Sequence, residues 1–443
     1  VQVSVTNKHI IRTTLPIALA LLIPLLNNLT NNFFLGKVSE RALAVNGVSG
    51  IFYLILAMVG YGLASGIQIQ FSRRAAQHDY EGITRMLTNG GMLTVFLALC
   101  LMMCSLWLAP LIFGLSLHVD DHVVMSINFL FIRVWGLPFL MLTQLANSFY
   151  ISTGRSQYLL AGSLAATGLN ILLDYVFIFG HWGAPAMGLN GAALASVLAE
   201  IGAWAIMWGL FLLSKLHYQF PIRQYLDLDL RLCRRMMRIA LPLIIQFFFS
   251  IGGWQVFFIF VEHLGERELA ASQILRPIFA VIGTAAWAFA TTCNTMVSNI
   301  IGQGKSSLVP FLIGKVVKLS VGVSAVLCAI LLLFGRQYLE MFTADESLIA
   351  LAMPSLYIIV LATLIMSVAT VLFNGVIGTG NTRVNLIMEV ICVGSYLLYC
   401  YFIIERARLG LAWAWGSEFI YWTTLLVAAF WYLRSGKWRG KVI

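Results

Sequence analysis

Apolar residues run in blocks of about twenty or more along the whole chain, separated by short breaks rich in charge, Gly or Pro. The blocks lie near 11–35, 43–71, 88–114, 123–150, 157–180, 188–214, 238–262, 270–301, 309–334, 347–376, 384–404 and 409–433. A hydrocarbon core about 30 Å thick needs roughly 20 apolar helical residues to cross it. Each block therefore predicts a membrane-spanning helix, and the class is an all-α polytopic membrane protein with twelve spans. The longest polar interruption, near 215–237, is too short for a soluble domain. The first block carries Pro16, Pro24 and several Asn, and it is too long for the apolar core of a removable signal peptide.

Composition strengthens this reading. The 443 residues are 60% hydrophobic and only 10% charged, where soluble domains carry roughly a quarter charged residues. That excludes a soluble enzyme and a DNA-binding module. The net charge of +10 belongs to membrane topology, because Lys and Arg collect on the cytoplasmic side. With the N-terminus inside, 20 of the 28 Lys and Arg fall on the inner side and six on the outer. Both termini are thus expected in the cytoplasm. The seven Cys show neither a disulfide framework nor a paired metal motif.

The blocks repeat. Leu15-Pro16 and Leu241-Pro242 open corresponding spans 226 residues apart. At the same offset Ser39-Glu40-Arg41-Ala42-Leu43-Ala44 matches Gly265-Glu266-Arg267-Glu268-Leu269-Ala270, Ser72 matches Ser298, and Thr153-Gly154 matches Thr379-Gly380. Two tandem six-helix lobes follow, 1–217 and 238–443, joined by a cytoplasmic linker at 218–237. An even number of helices per half predicts a pseudo-two-fold axis along the membrane normal, a plan that favours an alternating-access transporter. The linker reads either as an amphipathic segment on the membrane surface or as a solvated connection.

Most acidic residues are in breaks; Asp174, Glu200, Glu389 and Glu418 lie inside spans, where ionisable groups mark function. Thr167, Asn170 and Asp174 share one face of the fifth span, and Ser196 and Glu200 share one face of the sixth. Asn27, Asn28, Asn31 and Asn32 form a polar stripe on the first span beyond Pro24. Such groups can exchange a proton or hold a desolvated Na⁺; packed helices also use Asn and Ser purely as structural hydrogen-bonding groups. At the 226 offset Asn170 becomes Tyr396 and Asp174 becomes Cys400, so the ion-coupling site is expected in the first half. The second half offers Gln246, Trp254, Arg276 and Glu389 beside the Phe247-Phe248-Phe249 run, which with Asn27 make a candidate substrate cavity. Arg276 pairs with Glu262 or reaches the outer interface. Gly302 to Ser306 lacks the first Gly of a phosphate-binding loop and follows no strand, so ATP binding is rejected. His118, Asp120, Asp121 and His122 read as solvated outer-loop charges, and no metal site is assigned.

With these motifs the whole chain resembles the multidrug and toxic compound extrusion (MATE) family. The resemblance is strongest from Gly154 through Leu169-Asn170-Ile171-Leu172-Leu173-Asp174-Tyr175 to Gly188-Leu189-Asn190-Gly191-Ala192-Ala193-Leu194-Ala195-Ser196. Leu15-Pro16, Gly36 with Ala42-Leu43-Ala44, and Gly375 with Gly380-Asn381-Thr382-Arg383 support it. The resemblance implies an antiporter that exchanges cytoplasmic organic compounds for external H⁺ or Na⁺. Carried over residue by residue, the family's first-lobe cation site falls on Asn31, Asn170, Asp174 and Ser196, with Glu200 a further candidate. Asn31 stands where the family has a carboxylate and Ser196 where it has Thr, which leaves Asp174 as the titratable group and favours H⁺. Positions matching acids on the seventh and tenth helices of some members are Ser250 and Ser367. The expected function is a monomeric secondary active exporter of small organic, drug-like cations, without cofactor. The rivals are a flippase for lipid-linked substrates, a membrane-embedded enzyme and a channel; an enzyme would need a catalytic set that the His positions do not supply.

Overall fold

The computed structural model describes residues 2–116 and 120–440; His118 of the outer-loop group lies outside them. The fold is all helical. In chain order the helices are α1 Asn7–Val38, α2 Glu40–Ala76, α3 Tyr80–Ser116, α4 Asp120–Arg133, α5 Leu137–Ser152, α6 Gln157–Phe179, α7 Leu189–Leu213 and α8 Leu216–Gln219. The second half continues with α9 Leu230–Glu262, α10 Glu266–Gly302, α11 Val309–Glu340, α12 Glu346–Gly378, α13 Thr382–Cys400, α14 Leu411–Trp415 and α15 Ser417–Arg434. Eleven helical stretches among the described residues are long and apolar enough to cross a bilayer; one of them joins α4 and α5 through the single turn Val134–Gly136. The twelfth expected block is divided at Gly416 into α14 and α15. Glu418, Arg434 and several Tyr and Trp lower its hydropathy.

Local signals set the helix ends. Ser39 caps α2, its hydroxyl accepting from the Ala42 amide at 3.0 Å, which explains the Ser-Glu-Arg-Ala motif. Gly180 closes α6 at φ +77°, a conformation that favours glycine. Asp345 caps α12 by accepting from the amides of Ser347 and Leu348; the Ser347 hydroxyl, then those amides, hold its carboxyl below the usual carboxylate range. Between α7 and α9 the chain forms no continuous amphipathic helix, only α8 and a turn at Ile222–Gln224. Buried Phe220 anchors this stretch, its ring 5.1 Å from Phe149 and 5.7 Å from Tyr80.

Two compact units result: one is Leu19–Ile244, the other Gln2–Ala18 with Ile245 onward. The breaks fall inside α1 and α9, after Ala18 and Ile244, again 226 residues apart and two residues beyond Pro16 and Pro242. In the first unit Tyr53, Phe113, Leu130, Val134 and Met141 make one core, and Leu35, Val45, Phe129 and Ile178 another. In the second, Ile10 packs with Phe289, Met296, Leu312 and Trp438. Large apolar side chains such as Phe96, Trp107 and Leu333 stay exposed, as expected of lipid-facing positions.

Small residues let helices approach closely, as is common in membranes. A Cβ on Gly62 would lie 2.7 Å from Ile244 Cα, and one on Gly66 would lie 2.6 Å from Ala240 Cα. Gly66→Val is therefore expected to destabilise the first unit by about 1–3 kcal/mol, the usual cost of overpacking. A melting temperature equal to that of the parent would show that this approach is not tight. Gly191 is similarly placed against the Phe177 carbonyl, where α6 and α7 meet.

Candidate functional site

The first unit holds the predicted polar face. Thr167, Asn170 and Asp174 are 9%, 2% and 0% exposed on α6, so the spacing of three and four places all three inward. Asn170 donates from Nδ2 to Ser196 Oγ on α7 at 3.2 Å. Both Asp174 carboxylate oxygens and Asn170 Oδ1 are buried without a hydrogen-bond partner among the described residues. A buried carboxylate without a hydrogen-bond partner is costly to keep ionised, a cost that a proton or a cation at it would relieve. Asn27 and Asn31, half-buried on α1, likewise each leave a buried Oδ1 unpartnered. No hydrogen bond joins the Asn31 oxygen to the Asp174 carboxylate.

Glu200 stands in a different environment. Arg133 grips it with two parallel bonds, Nη1 to Oε2 at 2.8 Å and Nη2 to Oε1 at 2.6 Å. Tyr53 donates its hydroxyl to the same carboxylate at 2.9 Å, and the guanidinium lies 3.8 Å from the Tyr53 ring centroid. The short turn after α4 brings Arg133 there, and Gly136 leaves room, since a side chain on it would strike Glu200. Glu200 is thus bonded directly to Arg133, whereas Asp174 feels the Arg133 charge only at a distance and has no hydrogen-bond partner among the described residues. Among the expected cation-coupling residues, the structure joins Asn170 to Ser196, places Asp174 on the same helix face as Asn170, and gives Glu200 to Arg133.

The second unit contains a cavity of about 370 Å³. Gln246, Trp254 and Glu389, three of the residues singled out from sequence, line it. Arg276 does not line it; its guanidinium instead stacks 4.8 Å from Trp254 and 5.2 Å from Phe258. Asn27, assigned to the same cavity from sequence, belongs to the first unit and is not part of the lining. Glu418 also lines it, with Ser250, Tyr396, Tyr421 and Trp422. Ser250 donates to Glu389, and Tyr421 donates to the same oxygen at 2.7 Å. Trp422 Nε1 donates to Glu418 Oε2 at 2.8 Å, and the Tyr396 hydroxyl lies 3.5 Å from Oε1.

A protein-family model described as MatE matches residues 16–176 and again 242–402. The chain belongs to the MatE family, a family of transporters. Both matches start and stop at the 226-residue offset of the repeat, so each half carries one MatE unit. The probable multidrug resistance protein NorM of Photorhabdus laumondii is 25% identical over 74% of this chain and 72% of its own length. A MOP superfamily transporter from Pyrococcus furiosus superposes with a TM-score of 0.87 at 18% identity, covering 98% of this chain and 97% of the other. An outward-facing multidrug resistance MATE family transporter of the same superfamily gives 0.86 at 17%, with the same coverage of both chains. Those likenesses establish the MATE fold for this chain.

Proposed function

We propose that this MATE protein is a multidrug exporter that moves organic, drug-like cations out of the cell in exchange for protons, by alternating access. The names borne by its NorM relatives support the substrate class. The single observation that carries the ion assignment is Asp174: a buried carboxylate with neither oxygen partnered. Because Asn31 stands where a second carboxylate would add charge, the site offers one negative charge and few oxygens. That set suits a proton better than Na⁺. The protein resides in a bacterial cytoplasmic membrane with both termini inside, on the Lys and Arg distribution, and it functions as a monomer. A lipid-linked anionic substrate fits less well, since among the described residues no Lys, Arg or His lines the second-unit cavity.

The test is efflux of a fluorescent organic cation from right-side-out vesicles under an imposed pH gradient or an imposed Na⁺ gradient. Efflux is expected to follow the pH gradient. Efflux driven by Na⁺ alone would overturn the ion assignment and keep the transporter. Anionic lipid-linked substrate moving while cations do not would replace the export reading with a flippase.

A further inference from the structure

The start of α9 carries charges that no part of the coupling site uses. Arg231, Arg234, Arg235 and Arg238 are spaced by three, one and three residues, which places all four on one face of the first two turns. All four are exposed. The opposite face, with Leu232, Cys233, Met236, Ile239 and Ala240, is buried in the first unit. Asp229 fixes that orientation. Its Oδ1 accepts from the amides of Arg231 and Leu232 at 2.9 and 3.0 Å, and its own amide donates to Asn89 Oδ1 on α3 at 2.7 Å. The helix start is thus satisfied by protein, while the arginines project outward.

Their depth follows from the sequence. No Asp, Glu, Lys, Arg or His occurs from Ile239 to Val261. At 1.5 Å per residue that run is about 34 Å long, close to a hydrocarbon thickness of about 30 Å. Arg238 therefore stands at the edge of the apolar layer, and Arg231 lies about 10 Å farther out along the axis. The stripe runs from that edge through the lipid headgroups. No acid neutralises it: among the described residues, none of the four arginines forms an ion pair. Nor does entry into the membrane by itself require four cations. At the 226 offset the same positions hold Val5, Lys8, His9 and Arg12, only two of them permanently charged.

We propose that this stripe binds the phosphate headgroups of anionic phospholipids beside α9. A guanidinium presents paired N–H donors that match two oxygens of a phosphate. Four of them without a protein acid favour a lipid of net negative charge over a zwitterionic one. The lipid is a resident of the site and not cargo, so the site stands apart from the export reading.

The experiment uses the purified full chain in a neutral detergent, with added phosphatidylglycerol or phosphatidylcholine, and native mass spectrometry to measure bound lipid. A basic residue at an anionic surface contributes about fivefold in affinity. The parent is therefore expected to bind phosphatidylglycerol at least about tenfold more tightly than phosphatidylcholine, a preference that falls as NaCl is raised. Arg234→Gln with Arg235→Gln is expected to lose about fivefold or more of that preference. Lys8→Gln with Arg12→Gln, which removes the same charge elsewhere, is expected to keep it. Both pairs of side chains are exposed or partly so, and an unchanged melting temperature checks that each variant is folded. Equal binding of the two lipids by the parent, or equal loss in the two variants, overturns the site. A preference independent of salt overturns it too, without relying on any variant. Displacement of the lipid by inorganic phosphate at equal concentration would give the stripe to a free anion and overturn the lipid assignment.

Discussion

Asp174→Asn is expected to stop proton-driven efflux while leaving the protein folded and able to bind its solute. The amide matches the carboxylic acid in shape, so the fit of α6 against α7 is kept. It carries no exchangeable acid proton, so the step linking ion to solute is lost. Removing a positioned proton-transfer group costs about 10²–10⁴-fold in rate, which places the variant at the leak rate of protein-free vesicles. Exchange of labelled for unlabelled solute at equal pH on both sides should persist, because it needs no proton movement. Loss of that exchange as well would mean that Asp174 serves solute binding or structure instead of coupling.

Glu200→Gln is expected to do the opposite: it destabilises the protein first. The Arg133–Glu200 pair is nearly buried, with side chains 15% and 12% exposed, and it is bidentate. Removing one partner strands the other charge in a low-dielectric interior, at a cost of about 3–5 kcal/mol. Replacing both with Met should recover most of that loss, since a packed apolar pair avoids the desolvation penalty altogether. The melting temperature of purified protein checks both. A fall for Glu200→Gln, with recovery in Arg133→Met/Glu200→Met and none of the fall in Asp174→Asn, assigns the two acids of the first unit to different tasks. Equal stability of Glu200→Gln and parent would free Glu200 to serve as a coupling group.

The helices were legible because lipid demands long apolar blocks, and the repeat was legible because four short anchors keep one offset. The inward face of α6 followed from spacing alone, as Thr167, Asn170 and Asp174 are all buried. Glu200 was harder, because its partner lies 67 residues away at the end of a helix that breaks at Val134–Gly136. Gly136 and Pro138, two residues apart within an apolar block, are the local hints of that break. The second-unit acids show a different limit. Reading the repeat position by position finds Cys400 where Asp174 stands and registers an absence. It does not register that Glu418, on α15, meets the donors of Tyr396 and Trp422, because that depends on packing between helices and not on register within one. The division of the final block at Gly416 has a similar origin, in a short aromatic segment whose Trp415 ring packs against Phe257 at 5.3 Å.

The central claim is that solute and proton exchange through Asp174. It is tested most directly in proteoliposomes that enclose a pH dye, with an organic cation gradient as the only driving force. For the parent, cation moving in one direction should carry protons in the other, and Asp174→Asn should show no proton flux above protein-free liposomes. Proton flux of equal size in Asp174→Asn, or cation movement in the parent that draws Na⁺ and no protons, would contradict it.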